Sequence, residues 1–310
     1  MERFNIVVVP AGRWGSALAI PLSDNGHNVK LYQSSVFTTS SLKEAVLGAD
    51  ILILACNSAH VRSLFQKITS NLPKDTIVLC VSKGIEEDTN FCMSQVLTDI
   101  EPKIGSRLAV LSGPNFAAEV AQRLPTMTIV ASENTSVAKL LQRVFTTKNF
   151  RVYIQDDVLG VELGGALKNV IALGVGIGDG LKLGENGRAA LITRGITEIM
   201  RLGTAMGAQR QTFTGLSGMG DLILTCTSKK SRNHQAGLKI GRGLNPKDLL
   251  SSNETIEGLH TVKAAVKLAK EKGIKVPIME TVYKIVYQGL KPKGGFKQLM
   301  ELELSSENED

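Results

Sequence analysis

The stretch Val7-Val8-Val9-Pro10-Ala11-Gly12-Arg13-Trp14-Gly15-Ser16-Ala17 decides how the rest of the chain is read. The β-branched run Phe4–Val9 suits a buried strand. Trp14–Asn25 has helical spacing, with Leu18 and Leu22 on one face. A tight turn joins the two. A strand that turns directly into a helix leaves the helix's first N–H groups pointing at whatever sits above the turn, and such a turn receives phosphate. Dinucleotide-binding turns carry the pattern GxGxxG. Gly12 and Gly15 hold its second and third positions: the second lets backbone approach a pyrophosphate, the third lets helix and strand pack closely. Pro10 stands at the first position, where a proline fixes φ and offers no N–H. A plain structural strand-to-helix turn is the alternative reading of this motif.

Outward from this turn the first half alternates. Strands are expected at Asn28–Tyr32, Asp50–Ala55, Thr76–Val81, Leu108–Leu111, Thr126–Ala131 and Phe150–Ile154. Helices are expected at Ser41–Leu47, opened by a Ser41 cap, Ala59–Ser70, Thr89–Thr98, Phe116–Arg123 and Ser136–Phe145. Nearly continuous apolar strands alternating with helices predict a mostly parallel sheet of Rossmann type, covered on both faces. After about residue 155 the pattern becomes helical throughout: Val158–Gly176, Ala189–Met206, His234–Gly241, Gly258–Lys272 and Ile278–Gln288. The expected fold is α/β, with a dinucleotide-binding domain over 1–155 and an all-helical substrate domain over 156–310. The acidic tail Glu301–Asp310 is expected to fray.

Composition narrows the function. The chain has 310 residues, 43% hydrophobic and 21% charged, which excludes disorder and fibrous repeats. A net charge of +7 suits anionic small ligands, while 5% aromatic residues argue against nucleic-acid stacking platforms. The four cysteines, Cys56, Cys80, Cys92 and Cys226, make no CxxC pair and read as buried reduced thiols. The four histidines, His27, His60, His234 and His260, show no ligand spacing and read as surface or capping residues; no metal site is expected. No signal precedes the first strand, and the apolar Val158–Gly178 reads as a buried helix, so the cytoplasm is the expected compartment.

Further motifs carry chemistry. Val81-Ser82-Lys83-Gly84 follows a strand, where parallel sheets place ligands, and Lys83 there suits an anion. A solvated loop lysine reads equally well. Leu111-Ser112-Gly113-Pro114-Asn115-Phe116-Ala117 again follows a strand and opens a helix. Leu163-Gly164-Gly165-Ala166-Leu167-Lys168-Asn169 puts a lysine inside an apolar helix, which is rare without a partner. Gly164 and Gly165, on its face, are expected to leave room for a ligand. A cation in a dry cleft polarises a carbonyl and moves a proton. Asp221, in Gly218-Met219-Gly220-Asp221, is a partner for that lysine. Ser231-Arg232-Asn233, at a helix start, suits a phosphate. Thr255-Ile256-Glu257 offers Glu257 to a ribose or amide. The second strand ends Leu31-Tyr32-Gln33-Ser34-Ser35, with neither the acidic residue that selects NAD nor an arginine that selects NADP.

In order along the chain, AGRWGSALA, VSKGIE, SGPNFAAEVA, GVELGGALKNVIALGVGIGDGL, NGRAALITRG, GLSGMGDLILTCTSKKSRN and TIEGLHT resemble the bacterial-type NAD(P)-dependent glycerol-3-phosphate dehydrogenase family. The resemblance implies a Rossmann domain, a helical C-terminal domain, NADPH or NADH as cofactor, and interconversion of dihydroxyacetone phosphate with sn-glycerol 3-phosphate for glycerophospholipid synthesis. It implies Lys168 as the catalytic lysine, supported by Asp221. The implied substrate cluster is Lys83, Gly113, Asn115, Lys168, Asp221, Ser231, Arg232 and Asn233. The implied cofactor positions are Gly12, Arg13, Trp14, Gly15, Lys83, Ala117, Arg232, Thr255 and Glu257. A small-molecule substrate is the expected partner, with no nucleic acid, no membrane span, and a homodimer as the candidate assembly. Three departures bear on the cofactor: Pro10 in the fingerprint, Arg13 and Asn115 in place of small hydroxyl-bearing residues, and a short Gln33–Ala49 segment. The competing readings are a β-hydroxyacid dehydrogenase, which shares this plan, and a non-catalytic NAD(P)-binding sensor.

Overall fold

A computed structural model describes residues 2–33, 39–252 and 254–302. Ser34 and Ser35, the Ser41 side chain and the tail beyond Leu302 lie outside the described residues. The chain divides into two compact units, Met1–Glu162 and Leu163–Asp310.

The first unit is a seven-stranded sheet of order β2-β1-β3-β4-β5-β6-β7. Its elements are β1 Asn5–Val9, α1 Arg13–Asp24, β2 Asn28–Leu31, α2 Thr39–Val46, β3 Ile51–Leu54, α3 Val61–Ile68, β4 Ile77–Cys80, α4 Met93–Ile100, β5 Leu108–Ser112, α5 Ala117–Ala121, β6 Thr126–Ala131, α6 Thr135–Phe145 and β7 Phe150–Gln155. The strands β1 to β5 are parallel; β6 pairs antiparallel with β5 and parallel with β7. The sheet is thus mostly parallel, as the apolar strand runs predict. Ile6, Val8, Ile51, Ile53 and Leu79 meet Leu18 and Leu22 of α1 in one core. The chain passes from β1 outward to β2 and returns to β3 on the other side of β1. That reversal is the topological switch point at which open sheets bind their ligands.

One helix starts later than expected. Thr89–Cys92 is not helical, because Asn90 has φ +59° and Ile85 bridges Cys92. The helix α4 begins at Met93 behind a Cys92 and Gln95 capping box. The loop so made, which carries Lys83, is held by Arg62, whose guanidinium donates to both Glu86 oxygens at 2.8 and 2.9 Å.

The second unit is helical throughout its described residues, with α7 (Val158–Gly180) entering it from the first unit. It continues with α8 Gly184–Ala205, a 3-10 turn Arg210–Thr214, a π-helical turn Leu216–Gly220, α9 Asp221–Thr227, α10 Arg232–Gly241, α11 Pro246–Leu250, α12 Glu257–Lys272, α13 Pro277–Tyr287 and α14 Pro292–Met300. The short α9, α11 and α14 and the π-helical turn are additions to the expected helices, too short or too polar to show apolar periodicity. α7 is long and apolar enough to cross a membrane, yet 83% of its most apolar window is buried in the protein. An all-round apolar helix is what a domain core requires.

Two buried carboxyls, Glu162 and Glu198, are set by backbone and hydroxyl donors at the heads of helices. Glu162, near the start of α7, accepts from Ser94 N at 2.8 Å and from the Ser94 hydroxyl, at the head of α4. Glu198 of α8 accepts from Ile278 N at 2.6 Å and Met279 N at 3.1 Å, capping α13 from outside. Burial pushes both carboxyls up from 4.5 to about 7. A carboxyl raised on folding binds its proton more tightly in the folded state, so stability falls as pH rises from about 4.5 to about 7. Each rise corresponds to on the order of 3 kcal/mol. Asp24 and Glu86 shift the other way, held low by Arg123 and Arg62, and act only in more acidic solution. Burial lowers the His27 imidazole, which offsets part of the fall up to about pH 6.5 but is one group against two. Urea midpoints should therefore drop between pH 5 and pH 7.5, and Glu198→Gln should flatten that drop. An unchanged midpoint in the wild-type chain would show that these carboxyls ionise without cost.

Candidate active site

In the first unit the loops that leave β1, β4 and β5 carry the expected cofactor and anion positions. Gly12 is the N-cap of α1 and no side chain caps the helix, so its first-turn N–H groups are left to a ligand. A Cβ at Gly12 would meet nothing within 4 Å. Internal packing gives no reason for glycine there; the close approach of a phosphate gives one. Gly15 is the opposite case. Its Cβ would fall 2.8 Å from Pro10 O and 2.9 Å from Val8 Cγ1, so glycine is required for α1 to lie on β1. Pro10 follows a cis peptide bond, and Ala11 N donates to Tyr32 O at 2.5 Å, tying the loop to the end of β2. Arg13 is exposed and Trp14 is half-buried against the core. These residues fit a dinucleotide pyrophosphate at the head of α1. No carboxylate or arginine stands among Leu31, Tyr32 and Gln33. NADH and NADPH are therefore expected to differ in affinity by less than about a hundredfold, or about 2.7 kcal/mol. Paired titrations check this, and a larger ratio would mean that another side chain reads the 2′-position.

Lys83 is half-buried, and its Nζ donates to Gly113 O at 3.1 Å, which joins the β4 and β5 loops. Gly113 has φ +146°, and a Cβ there would press on Thr128 at 3.2 Å. The Asn115 amide ties its loop to β6: Nδ2 donates to Met127 O at 3.0 Å, and Oδ1 lies 2.9 Å from Thr128 Oγ1, whose hydroxyl also has Ser112 O at 2.8 Å. Ala117 opens α5.

In the second unit Lys168 and Asp221 come together. Lys168 Nζ donates to Asp221 Oδ1 at 2.5 Å and to Thr225 Oγ1 at 2.7 Å, and the Thr225 hydroxyl donates to Asp221 O at 2.6 Å. Lys168 is 8% exposed and Asp221 1%. A buried ammonium needs this combination of a counter-charge and a second oxygen. Asp221 is the first residue of α9, so it reaches the lysine from a helix and not from the expected glycine turn. Gly164 does not make room for a ligand, contrary to the expectation. Its Cβ would fall 2.7 Å from Ser217 O, so the glycine lets the Leu216–Gly220 turn lie on α7 and brings α9 to Lys168.

The next residue, Asn169, ties the lysine to the anion-suited turn. Its Oδ1 accepts from Asn233 Nδ2 at 2.9 Å, and Asn233 Oδ1 accepts from Gly258 N at 2.8 Å at the head of α12. Ser231 caps α10, accepting from His234 N at 3.2 Å. Arg232 is exposed between these buried neighbours. Thr255 and Glu257 are half-buried at the start of α12.

Sequence reasoning missed Thr225, Asn169 and Asp179. Thr225 stands four residues after Asp221, which puts both on one face of α9; that spacing was the available signal. The histidine expectation needs correction. His60 and His260 are exposed, but His27 is 6% and His234 7% exposed, because each ring is drawn inward by a hydrogen bond, from Phe4 N and with Asp179 respectively. The four cysteines carry free thiols; three are buried and Cys56 is half-buried. Among the described residues no group of three His, Cys, Asp or Glu has a metal-holding arrangement.

Two family models match the chain. The one described as NAD-dependent glycerol-3-phosphate dehydrogenase N-terminus covers residues 32–138, and its C-terminus counterpart covers 157–297. The N-terminal match begins after the phosphate loop and its irregular Pro10. The chain is 44% identical to glycerol-3-phosphate dehydrogenase [NAD(P)+] of Syntrophotalea carbinolica, over 98% of this chain and 99% of that protein. It is 42% identical to the protein of the same name from Symbiobacterium thermophilum, over 96% and 93%. The crystal structure of glycerol-3-phosphate dehydrogenase from Coxiella burnetii matches with a TM-score of 0.88 at 32% identity, covering 96% of this chain and 99% of that one.

Proposed function

The chain belongs to the NAD-dependent glycerol-3-phosphate dehydrogenase family, and from that premise we propose that it reduces dihydroxyacetone phosphate to sn-glycerol 3-phosphate with NADPH or NADH. The observation that carries this reading is the buried Lys168–Asp221–Thr225 group, joined through Asn169 to the Ser231-Arg232-Asn233 turn. A proton donor and an anion-suited helix start are thereby held in one rigid piece, as a phosphorylated ketone requires.

In the first unit, Gly12, Arg13, Trp14, Gly15 and Ala117 would hold the dinucleotide; in the second, Thr255 and Glu257 are the residues proposed for it. Bound there, the cofactor supplies the hydride. The protein's own residues do the rest. Arg232 and the first N–H groups of α10 anchor the phosphate, and Ser231 and Asn233 shape that turn. Remote binding of this kind positions the ketone. As the carbonyl π bond breaks, negative charge grows on its oxygen, and Lys168 neutralises it and delivers the proton from Nζ. Asp221 and Thr225 fix where Nζ points. Lys83 and Gly113 complete the anion-facing loops, and Asn115 acts by stapling its loop to β6. A cytoplasmic location and a homodimeric assembly are part of the proposal, which cell fractionation and ultracentrifugation would test.

The test is oxidation of NADPH and NADH with dihydroxyacetone phosphate beside small 3-oxo acids. Turnover of the phosphorylated ketone is expected. Turnover of the 3-oxo acids alone would identify a β-hydroxyacid dehydrogenase, and binding without turnover of either a non-catalytic sensor.

A further inference from the structure

Arg232 and Asn233 stand on the first turn of α10, and α10 is locked to α7 by features outside the substrate cluster. Gly176 and Gly180 of α7 face Gly237 and Gly241 of α10. A Cβ on any of the four would stand nearer than 3.0 Å to backbone of the opposite helix: at His234 O, Leu238 O, Leu173 O and Ile177 O respectively. The two helices therefore touch backbone to backbone, with glycines four apart on each side lining the contact.

At the α10 head of this seam the contact becomes polar. Asp179 Oδ2 lies 2.7 Å from His234 Nε2, and Asp179 Oδ1 accepts from Arg188 Nε at 2.9 Å. The Asp179 and His234 side chains are 10% and 9% exposed. His234 is also the residue whose backbone N–H reaches the Ser231 cap. Both neighbours of Arg232 are thus held, Ser231 through that cap and Asn233 through Asn169 and Gly258, and the ring that follows is clasped by Asp179. The exposed guanidinium is the one unheld part of a fixed turn.

We infer that Asp179, acting through His234, is a positioning residue for the phosphate-anchoring turn Ser231-Arg232-Asn233. The inference rests on the proposed role of Arg232. An orienting group that presets a binding turn shows its effect in the affinity for what the turn binds.

Asp179→Asn removes the negative charge and turns one of the two accepting oxygens into a donor, so a single neutral oxygen is left to face Arg188 and His234, both of which lie within 3.1 Å of Oδ2 in the wild type. The variant should raise KM for dihydroxyacetone phosphate about tenfold, or about 1.4 kcal/mol. kcat and the KM for NADPH should stay within about twofold, a shift near 0.4 kcal/mol. The rise in melting temperature caused by sn-glycerol 3-phosphate should shrink in parallel, since a weaker ligand stabilises less. His234→Ala should do the same, and the double variant should be no worse than either single one. His234→Gln, which keeps a donor toward Asp179, should recover part of the loss. Losses in kcat and both KM values that track melting temperature, or losses that add, would overturn the inference and leave the clasp purely structural. If Asp179→Asn fails to fold, the two His234 variants decide by the same readouts. Arg232→Ala run alongside separates the two claims. A phosphate-specific loss there with none in the clasp variants defeats the clasp alone, whereas no such loss in Arg232→Ala defeats the assignment of the turn.

Discussion

Lys168→Met is expected to lower kcat by about 10²–10⁴, the range for lost acid–base catalysis, while NADPH binding survives. Methionine has nearly the length of lysine but no proton to give. The ammonium it replaces is held by Asp221 Oδ1 at 2.5 Å and Thr225 Oγ1 at 2.7 Å. Removing it leaves Asp221, 1% exposed, without its cation. Stranding a buried charge in this way costs about 3–5 kcal/mol. The single variant therefore confounds chemistry with folding. Lys168→Met combined with Asp221→Asn removes the stranded charge and keeps a partner for Thr225, so it should melt close to the wild type and still not turn over. A double variant with normal melting and near-normal turnover would take Lys168 out of the mechanism.

The sequence and the structure agree where physics is local. Phe4–Val9 and the other strand runs declare themselves by β-branched composition, and the turn at Gly12 and Gly15 by its place between strand and helix. The lysine of α7 stood out because charge in an apolar helix needs a partner. Non-local features were harder to read. Lys168 meets Asp221 and Thr225 across 53 and 57 residues, and which of several polar groups closes on it depends on how α9 packs. Gly164 looked like space for a ligand, but a missing side chain means equally that another backbone comes close, and here Ser217 does. Asn115, read as a ligand contact, also ties its loop to β6 through Met127 and Thr128, a non-local pairing that leaves the amide a second N–H. The Asp179–His234 clasp had no local signal, because a histidine near a helix start reads as a surface cap until α7 is laid against it.

Arg232→Ala should weaken binding of dihydroxyacetone phosphate by about 1.5–3 kcal/mol, the worth of a hydrogen bond to a charged group. That is a rise in KM of roughly 10- to 150-fold. Arg232 is exposed at the head of α10, so its loss strands no buried charge and should leave the melting temperature nearly unchanged. The turn itself stays formed, since Ser231 still accepts from His234 N and Asn233 is still held by Asn169 and Gly258. What disappears is a planar fork able to donate two parallel bonds to phosphate oxygens. Arg232→Lys returns the charge without the fork and should recover only part of the affinity. Unphosphorylated dihydroxyacetone supplies the decisive comparison, because it presents the same ketone to Lys168 with no dianion. Its kcat/KM should be low in the wild type and unchanged in Arg232→Ala. Equal losses for the two ketones would mean that Arg232 shapes the site as a whole, and that the phosphate is held by the helix N–H groups or by Lys83 instead.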